Sequence, residues 1–526
     1  MKKQKLDRTQ IVAFGFVLIF WTITLIHIDR SPPLHDDETW ILSPGYKFLS
    51  HGIFGSDMFT GLHGMEDHYI QFMPLMPVMQ GASMLLGGIG AFQMRFVPVV
   101  LGTLTVALTF AAGRKLVSPW GAIVATLFVM VWPWTSPGDL TYTTGIPLFD
   151  ITHIARYDIL TPVFGLTAFL LFIHARRTLR LRYDFLAGTF GGLAALSQSY
   201  GLFWVAALAL ALIVDSVIFT KQSTFHPLLA LLLGTAITCL PWAIVLALYW
   251  HDFLNQQLIQ PERFDLLNVH FYLSNLLSEP RRYFYGSPRL IPASVWLLIG
   301  IPAALAGLVV RVAQRRVRHE CWLLTLCIVL PLLFAVLLQP KGPAYLPSIA
   351  VLFALLIAWL ILHLFQTRRR ILRIATIVVS IATLVEGAFT VGAMHVAATN
   401  RPSPMNLMVG LRQLVPTPVR ILGKPPYWLA FPYSSYRSLA LVLLISNPAR
   451  NPEPVSFDAA LNGVAPDVVL LDADTEGAFA RASTPMWLTD GEQFWAYMRR
   501  HDAQLIAILH DNYGKPLKVY RLSQSQ

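Results

Sequence analysis

The sequence predicts an α-helical polytopic membrane protein that ends in a small extracytoplasmic α/β domain, and three observations carry that prediction. The chain is 55% hydrophobic and only 13% charged over 526 residues, with a mean hydropathy of +0.55, too apolar for an ordinary soluble domain. Charge-poor runs long enough to cross ~30 Å of hydrocarbon recur along it. Lys and Arg gather in short clusters between alternate runs, which is the positive-inside pattern. The net charge of +11 is distributed over those clusters, so nucleic acid is excluded as a partner. Cys239, Cys321 and Cys327 lie in apolar runs without CxxC spacing and read as packing residues, not zinc ligands or disulfides.

The elements follow in order. Lys2, Lys3, Lys5 and Arg8 precede the apolar run Ile11–Ile28, and Asp29-Arg30-Ser31-Pro32-Pro33 offers no small-residue cleavage site. This reads as an uncleaved signal anchor with a cytoplasmic N-terminus. Further spans are expected at 95–113, 119–137, 156–175, 185–198, 201–219, 228–250, 291–311, 321–338, 346–366 and 373–396, making about eleven helices, with roughly thirteen as the upper count. Basic clusters at Arg114-Lys115, at Arg176, Arg177, Arg180 and Arg182, at Lys221, at Arg311, Arg315, Arg316 and Arg318, and at Arg368, Arg369, Arg370 and Arg373 mark every second connection as cytoplasmic. Pro74 to Gly88 is apolar but short and lacks flanking basic residues, so it reads as an interfacial helix of the first outer loop. Ser197-Gln198-Ser199-Tyr200-Gly201 breaks the apolar stretch Phe185–Val214 into two helices with an outer turn.

An odd number of crossings places everything after about Ala397 outside. The expected domains are therefore 1–397, the transmembrane catalytic part, and 398–526, the α/β domain. Within the latter, Asp467–Asp472 alternates as a strand, Gly491–His501 is amphipathic at helical spacing, and Leu517–Leu522 is strand-like. No repeat of 20–50 residues is present.

Four polar sets fall on the outer face. The first is Asp36, Asp37 and Glu38, with His63, Glu66, Asp67 and His68 later in the same loop. Carboxylates there suit a general base, a metal ligand or a solvated acidic loop. The second is His153, Arg156 and Asp158, where an interfacial ion pair competes with a functional role. The third is the loop from His251 to Arg289, in which Arg281-Arg282-Tyr283-Phe284-Tyr285 interleaves cations with aromatics, suited to a phosphate or to an interfacial belt. The fourth is Gln339-Pro340-Lys341-Gly342-Pro343-Ala344-Tyr345-Leu346-Pro347, a lone outer cation in a rigid turn that asks for an anion nearby. Carboxylates opposite cations fit a sugar carried on a lipid phosphate or pyrophosphate, with a carboxylate deprotonating the acceptor and cations stabilising the leaving phosphate. Neither a Walker A loop nor a Rossmann fingerprint is present.

Taken in order, Asp37-Glu38-Thr39-Trp40, Gly52, Pro74-Leu75, Gly90, Arg95-Phe96, Arg156-Tyr157-Asp158-Ile159-Leu160, Gly191-Gly192-Leu193-Ala194-Ala195-Leu196-Ser197-Gln198 and Lys341-Gly342-Pro343-Ala344-Tyr345-Leu346-Pro347 resemble the GT-C class of membrane glycosyltransferases. The likeness is to the family 39 branch of protein O-mannosyltransferases and lipid A aminoarabinose transferases, and it covers residues 8–397. The resemblance implies inverting transfer from a polyprenyl-phosphate sugar to an envelope lipid, glycan or protein, with Asp37 as base, Asp36 as the competing candidate and Glu38 completing the acidic pair. It implies a second acidic position at Asp158, donor-phosphate contacts at Lys341, Arg281, Arg282, Arg156 and Tyr345, and acceptor or sugar contacts at His68, Tyr283 and Gln198. Gln198 stands where many relatives carry Lys, and Phe72-Met73 where they carry a basic residue, which shifts weight onto the arginine loop. The absence of a MIR-type domain points to a bacterial envelope enzyme of the inner membrane. No cofactor is expected.

Two alternatives stand beside this reading. A transporter or flippase would place charges near the midplane within repeats. An oligosaccharyltransferase or ligase with a pyrophosphate-linked donor would use Asp36 and Asp37 as ligands of a divalent metal.

Overall fold

The computed structural model describes residues 7–135, 143–221, 223–260, 265–284, 292–314, 317–339, 341–416, 418–432, 435–480 and 485–523. Among them, nine helices are long and apolar enough to cross a membrane, from Arg8–Leu25 at the N-terminus to Arg370–Leu414. Two of the expected spans are occupied by shorter helices. Pro119–Val131 has 13 residues, about 20 Å at 1.5 Å per residue, and ends where Trp132 precedes Pro133, since a residue before proline is driven out of the helical region. Leu181–Ser197 has 17 residues and carries Asp184 in its first turn. The three cysteines are free, two of them buried, as packing residues should be.

The chain forms two compact units, and neither is a single stretch of sequence. One comprises Met1–His27, Pro98–Val245 and Asp265–Ala397; the other comprises Ile28–Val97, Leu246–Phe264 and Ala398–Gln526. The segment after the first helix thus groups with the C-terminal residues.

The first unit is a helical bundle. Helix Pro347–Gln366 is largely buried and packs against Pro119–Val131. Leu160–Thr178 and Leu181–Ser197 lie against one another, and Gly165 admits Trp204 so closely that a Cβ there would sit 2.2 Å from its ring. Basic clusters at helix ends find carboxylates: Arg311 Nε lies 2.8 Å from Glu320 Oε2, and Arg318 Nε 2.5 Å from Asp215 Oδ1.

In the second unit the first expected loop opens as a helix, Asp36–His51. It packs on helix Leu75–Gly87, the predicted short apolar helix. Contact is backbone to backbone, because a Cβ at Gly45 would lie 1.8 Å from the Pro77 carbonyl oxygen. The C-terminal residues form a five-stranded mixed sheet of β1 (Ile421–Gly423), β2 (Tyr436–Ser438), β3 (Val468–Asp472), β4 (Gln504–His510) and β5 (Pro516–Arg521), in the order β2-β1-β3-β5-β4. β1 pairs in parallel with β2 and β3, whereas β5 runs antiparallel to β3 and β4. Helices Phe457–Val464 and Pro485–Arg500 cover it around Phe457, Leu461, Phe479 and Phe494. β3, β5 and the last helix sit where alternation and amphipathicity placed them.

Candidate active site

The acidic turn is built by a helix start. His35 is extended, with φ −92 and ψ 143, and caps the helix: Asp37 N donates to His35 Nδ1 at 3.1 Å, and His35 N donates to Glu38 Oε2 at 2.8 Å. Anions in a first helical turn are favoured by the peptide dipoles.

The three carboxylates then part company. Glu38 is fully buried and forms a two-bond ion pair with the equally buried Arg95, Nε to Oε1 and Nη2 to Oε2 both at 2.8 Å. Arg95 also donates to the carbonyls of Ile28, Pro32 and Pro33 at 2.8–3.0 Å, so this pair fixes the chain entering the helix. Asp37 keeps a side chain 35% exposed, with Oδ2 3.8 Å from His35 Nδ1. Asp36 is exposed at its edge, yet the protein crowded around it withdraws water and raises its carboxyl above the usual range. Lys424 and His35 oppose that rise, and Asp472 and Asp37 reinforce it.

Lys424 and Asp472 were not singled out in the sequence. Lys424 Nζ lies 2.8 Å from Asp472 Oδ2, Tyr427 donates to the same oxygen at 3.4 Å, and Tyr436 Oη donates to the Lys424 carbonyl at 2.5 Å. The turn that follows Lys424 packs on the acidic helix, with the Trp428 and Tyr46 rings edge to face at 5.7 Å. His68, the expected acceptor contact, stacks its ring on Tyr249 at 3.6 Å. Its carbonyl accepts from Gln256 at 2.7 Å. Glu66 accepts from Gly61 N at 3.2 Å.

The other unit gathers most of the remaining candidates into one chain of contacts. Asp158 is buried; Oδ2 accepts from Arg156 Nε at 2.9 Å and Oδ1 from Tyr200 Oη at 2.6 Å. Tyr200 meets Tyr345 edge to face at 5.7 Å. Arg282, fully buried, lies over the Tyr345 ring at 5.7 Å and pairs with Glu279 Oε1 at 2.9 Å. Lys341 Nζ pairs with Glu279 Oε2 at 2.8 Å and donates to the Ala335 carbonyl at 2.9 Å.

The anion that Lys341 asked for is therefore Glu279, and the expectation of a lone cation is corrected. Burial pulls the Lys341 ammonium below the ordinary lysine range, and Glu279 pushes back. The Tyr283 hydroxyl is pushed up by burial and by Glu279, while its ring stacks on Trp134 at 5.8 Å.

Two expected contacts stand apart from this chain. Arg281 is exposed, and Gln198 ends its helix in extended backbone with Oε1 accepting from Ser199 N at 2.9 Å. Tyr285, Arg289, Arg315, Arg316 and Pro340 lie outside the described residues. Tyr200 was missed because its partner Asp158 is 42 residues away in sequence; Glu279 was missed although Arg282 lies three residues on, because its second partner, Lys341, is 62 residues away. Among the described residues no group of three His, Cys, Asp or Glu side chains is placed to hold a metal ion.

No family model and no curated protein matches the chain. Solved structures do. ArnT from Cupriavidus metallidurans, bound to undecaprenyl phosphate, aligns with TM-score 0.56 and 14% identity over 99% of this chain and 100% of that one. The oligosaccharyltransferase of Archaeoglobus fulgidus, tethered to an acceptor peptide, aligns with TM-score 0.58 and 12% identity over 98% and 74%. The archaeal protein in complex with an inhibitory peptide and a dolichol-phosphate gives 0.55 and 13% over 98% and 74%. Both kinds of neighbour align with this chain about equally well, so the likeness does not select the family 39 branch. With nine apolar spans among the described residues and a small C-terminal sheet, the chain has the fold of ArnT and of the archaeal oligosaccharyltransferase.

Proposed function

We propose that the protein is a glycosyltransferase of a cell envelope that moves a sugar from a polyprenyl-phosphate carrier to a lipid, glycan or protein acceptor. The observation that carries this reading is the end-to-end likeness to a protein solved with undecaprenyl phosphate. The acidic turn supports the chemistry. With Glu38 held by Arg95, Asp36 and Asp37 are the carboxylates left at the surface of the turn.

In this reading Asp37 takes the proton of the acceptor hydroxyl or amine. The acceptor oxygen or nitrogen attacks the anomeric carbon from the side opposite the phosphate, the bond from that carbon to the phosphate oxygen breaks, and the configuration inverts. Polyprenyl phosphate leaves with the electron pair. Lys341 and Arg282 hold the phosphate, and the charge that develops on it is stabilised by fixed cations in a poorly hydrated setting. Glu279 keeps those two cations in place in the meantime. Asp158, fixed by Arg156 and Tyr200, orients the acceptor. The N-terminus lies in the cytoplasm, and the acidic turn and the C-terminal domain lie outside the inner membrane.

The test is transfer in detergent from a panel of polyprenyl-phosphate sugars, reading which is consumed. Consumption of none, by protein that is folded and pure, overturns the reading. The comparable likeness to an oligosaccharyltransferase supports a second version with a pyrophosphate-linked donor and a divalent metal. Loss of transfer in EDTA, restored by a divalent cation, selects that version.

A further inference from the structure

The unit that carries the C-terminal sheet contains a cavity of about 440 Å³, within the size range of small-ligand sites. Its polar lining comprises Thr60, after the short helix Asp57–Phe59, and Arg420, Ser435 and Arg437 at β1 and β2. Leu441, Ile445, Val455 and Val464, from helices Leu439–Ser446 and Phe457–Val464 and the chain between them, make its apolar wall.

The two guanidiniums differ. Arg420 already holds Asp467, at 3.1 Å. Arg437 is half-buried, and burial weakens its hold on its proton. Its hydrogen bonds among the described residues go from Nη1 to the Asp57 and Tyr436 carbonyls, at 2.8 and 3.3 Å. The acids that act on it are engaged elsewhere: Asp57 with Lys47 at 2.7 Å and Glu66 with Gly61 N at 3.2 Å. Among the described residues no carboxylate stands at ion-pair distance from Arg437, and a partly desolvated cation so placed is costly unless an anion joins it. The fork of Nε and Nη2 faces that need in the shape that suits tetrahedral phosphate.

We propose that this cavity binds a phosphate monoester joined to an apolar segment, the phosphate on Arg437 and the apolar part against Leu441, Ile445 and Val464. Taking that ligand as the acceptor of transfer rests on the transferase reading; the binding itself does not.

The experiment uses the full chain in phosphatidylcholine nanodiscs and calorimetric titration with three probes: dihexanoylphosphatidic acid, dihexanoylphosphatidylcholine and inorganic phosphate. The phosphatidic acid binds saturably and the phosphatidylcholine does not. Arg437→Gln weakens the phosphatidic acid by at least about tenfold, as expected for a charged hydrogen-bonded contact. Gly463→Leu is the second variant. Gly463 lines the cavity inside helix Phe457–Val464, and a Cβ there meets nothing within 4 Å. Leucine is a better helix former than glycine, so this variant folds and fills the space, and it abolishes phosphatidic acid binding with the melting temperature preserved. Unchanged affinity in either variant, or equal binding of the zwitterionic probe, overturns the proposal. Inorganic phosphate binding as tightly as the lipid, and insensitive to Gly463→Leu, overturns its apolar half. Binding without transfer from any donor refutes the transferase reading alone, whereas transfer without binding refutes this site alone.

Discussion

Glu38→Gln separates structure from catalysis in the acidic turn. The Glu38–Arg95 pair is wholly buried, and Arg95 makes five hydrogen bonds, two to Glu38 and three to carbonyls. Removing one partner of such a pair leaves a buried charge and costs about 3–5 kcal/mol. Glutamine keeps the length and one acceptor oxygen, which returns about 1 kcal/mol of neutral hydrogen bonding. A net loss of about 2–4 kcal/mol is a large share of the ~5–15 kcal/mol that typically holds a folded domain together.

For a unit this size such a loss lowers the melting temperature by roughly 5–15 °C. The assay is thermal unfolding of detergent-purified protein followed by intrinsic fluorescence, with transfer measured well below the melting point. Glu38→Gln melts early, and the fraction still folded turns over. Replacing both partners with apolar residues does not restore stability, because the Ile28, Pro32 and Pro33 carbonyls lose their donor. A variant that melts with the wild type but is inactive would refute the structural assignment and return Glu38 to the chemistry.

Asp37→Asn abolishes transfer, by at least about a hundredfold as for loss of a general base, with no change in melting; wild-type turnover ends its candidacy. Lys341→Ala raises the donor KM more than the acceptor KM. Because burial already lowers the Lys341 pKa, donor binding fades on the alkaline side at a lower pH than for an ordinary lysine. Glu279→Gln removes the group that raises it and moves that limb lower still, whereas an unmoved limb shows that Lys341 does not meet the donor. Lys424→Met and Asp472→Asn test which aspartate is the base. Lys424 lowers the Asp36 pKa and Asp472 raises it, so the acid limb of kcat/KM moves to higher pH in the first variant and to lower pH in the second if Asp36 ionises in the reaction. An acid limb indifferent to both leaves Asp37.

Much of the fold was legible because apolar length and strand alternation are local signals. The runs now seen as Ala91–Leu116, Arg318–Leu337 and Pro347–Gln366 needed only composition, and β3 and β5 needed only their own alternation. The span at 119–137 was overestimated because the break at Trp132-Pro133 is a backbone constraint that hydropathy does not register. The start of helix Asp36–His51 carried a usable signal, an acid three residues after a capping position, but histidine is not among the favoured caps and the turn reads as loop. Site residues were legible by type and not by partner. Lys341 and Arg282 were recognisable as phosphate-type cations, whereas Glu279, three residues before Arg282, offered a local i,i+3 pair but no sign that it also holds Lys341. Lys424 and Asp472 lie in a domain without any motif, and only folding brings them beside Asp36.

The acidic turn itself argues for function over packing. A helix start gains from one acid, each worth about 0.3–1 kcal/mol near the terminus, and Glu38 already supplies it while anchoring Arg95. Asp36 and Asp37 add like charge side by side, and Asp37 raises the pKa of Asp36. Among the described residues no cation sits at ion-pair distance from Asp36, because the Lys424 ammonium is on Asp472. A segment selected for stability alone gains nothing from two like charges side by side, since replacing Asp36 removes the repulsion. Burial first, and then Asp472 and Asp37, leave Asp36 a carboxylate of raised proton affinity at the edge of solvent, the property that keeps it the competing candidate to Asp37 for the general base.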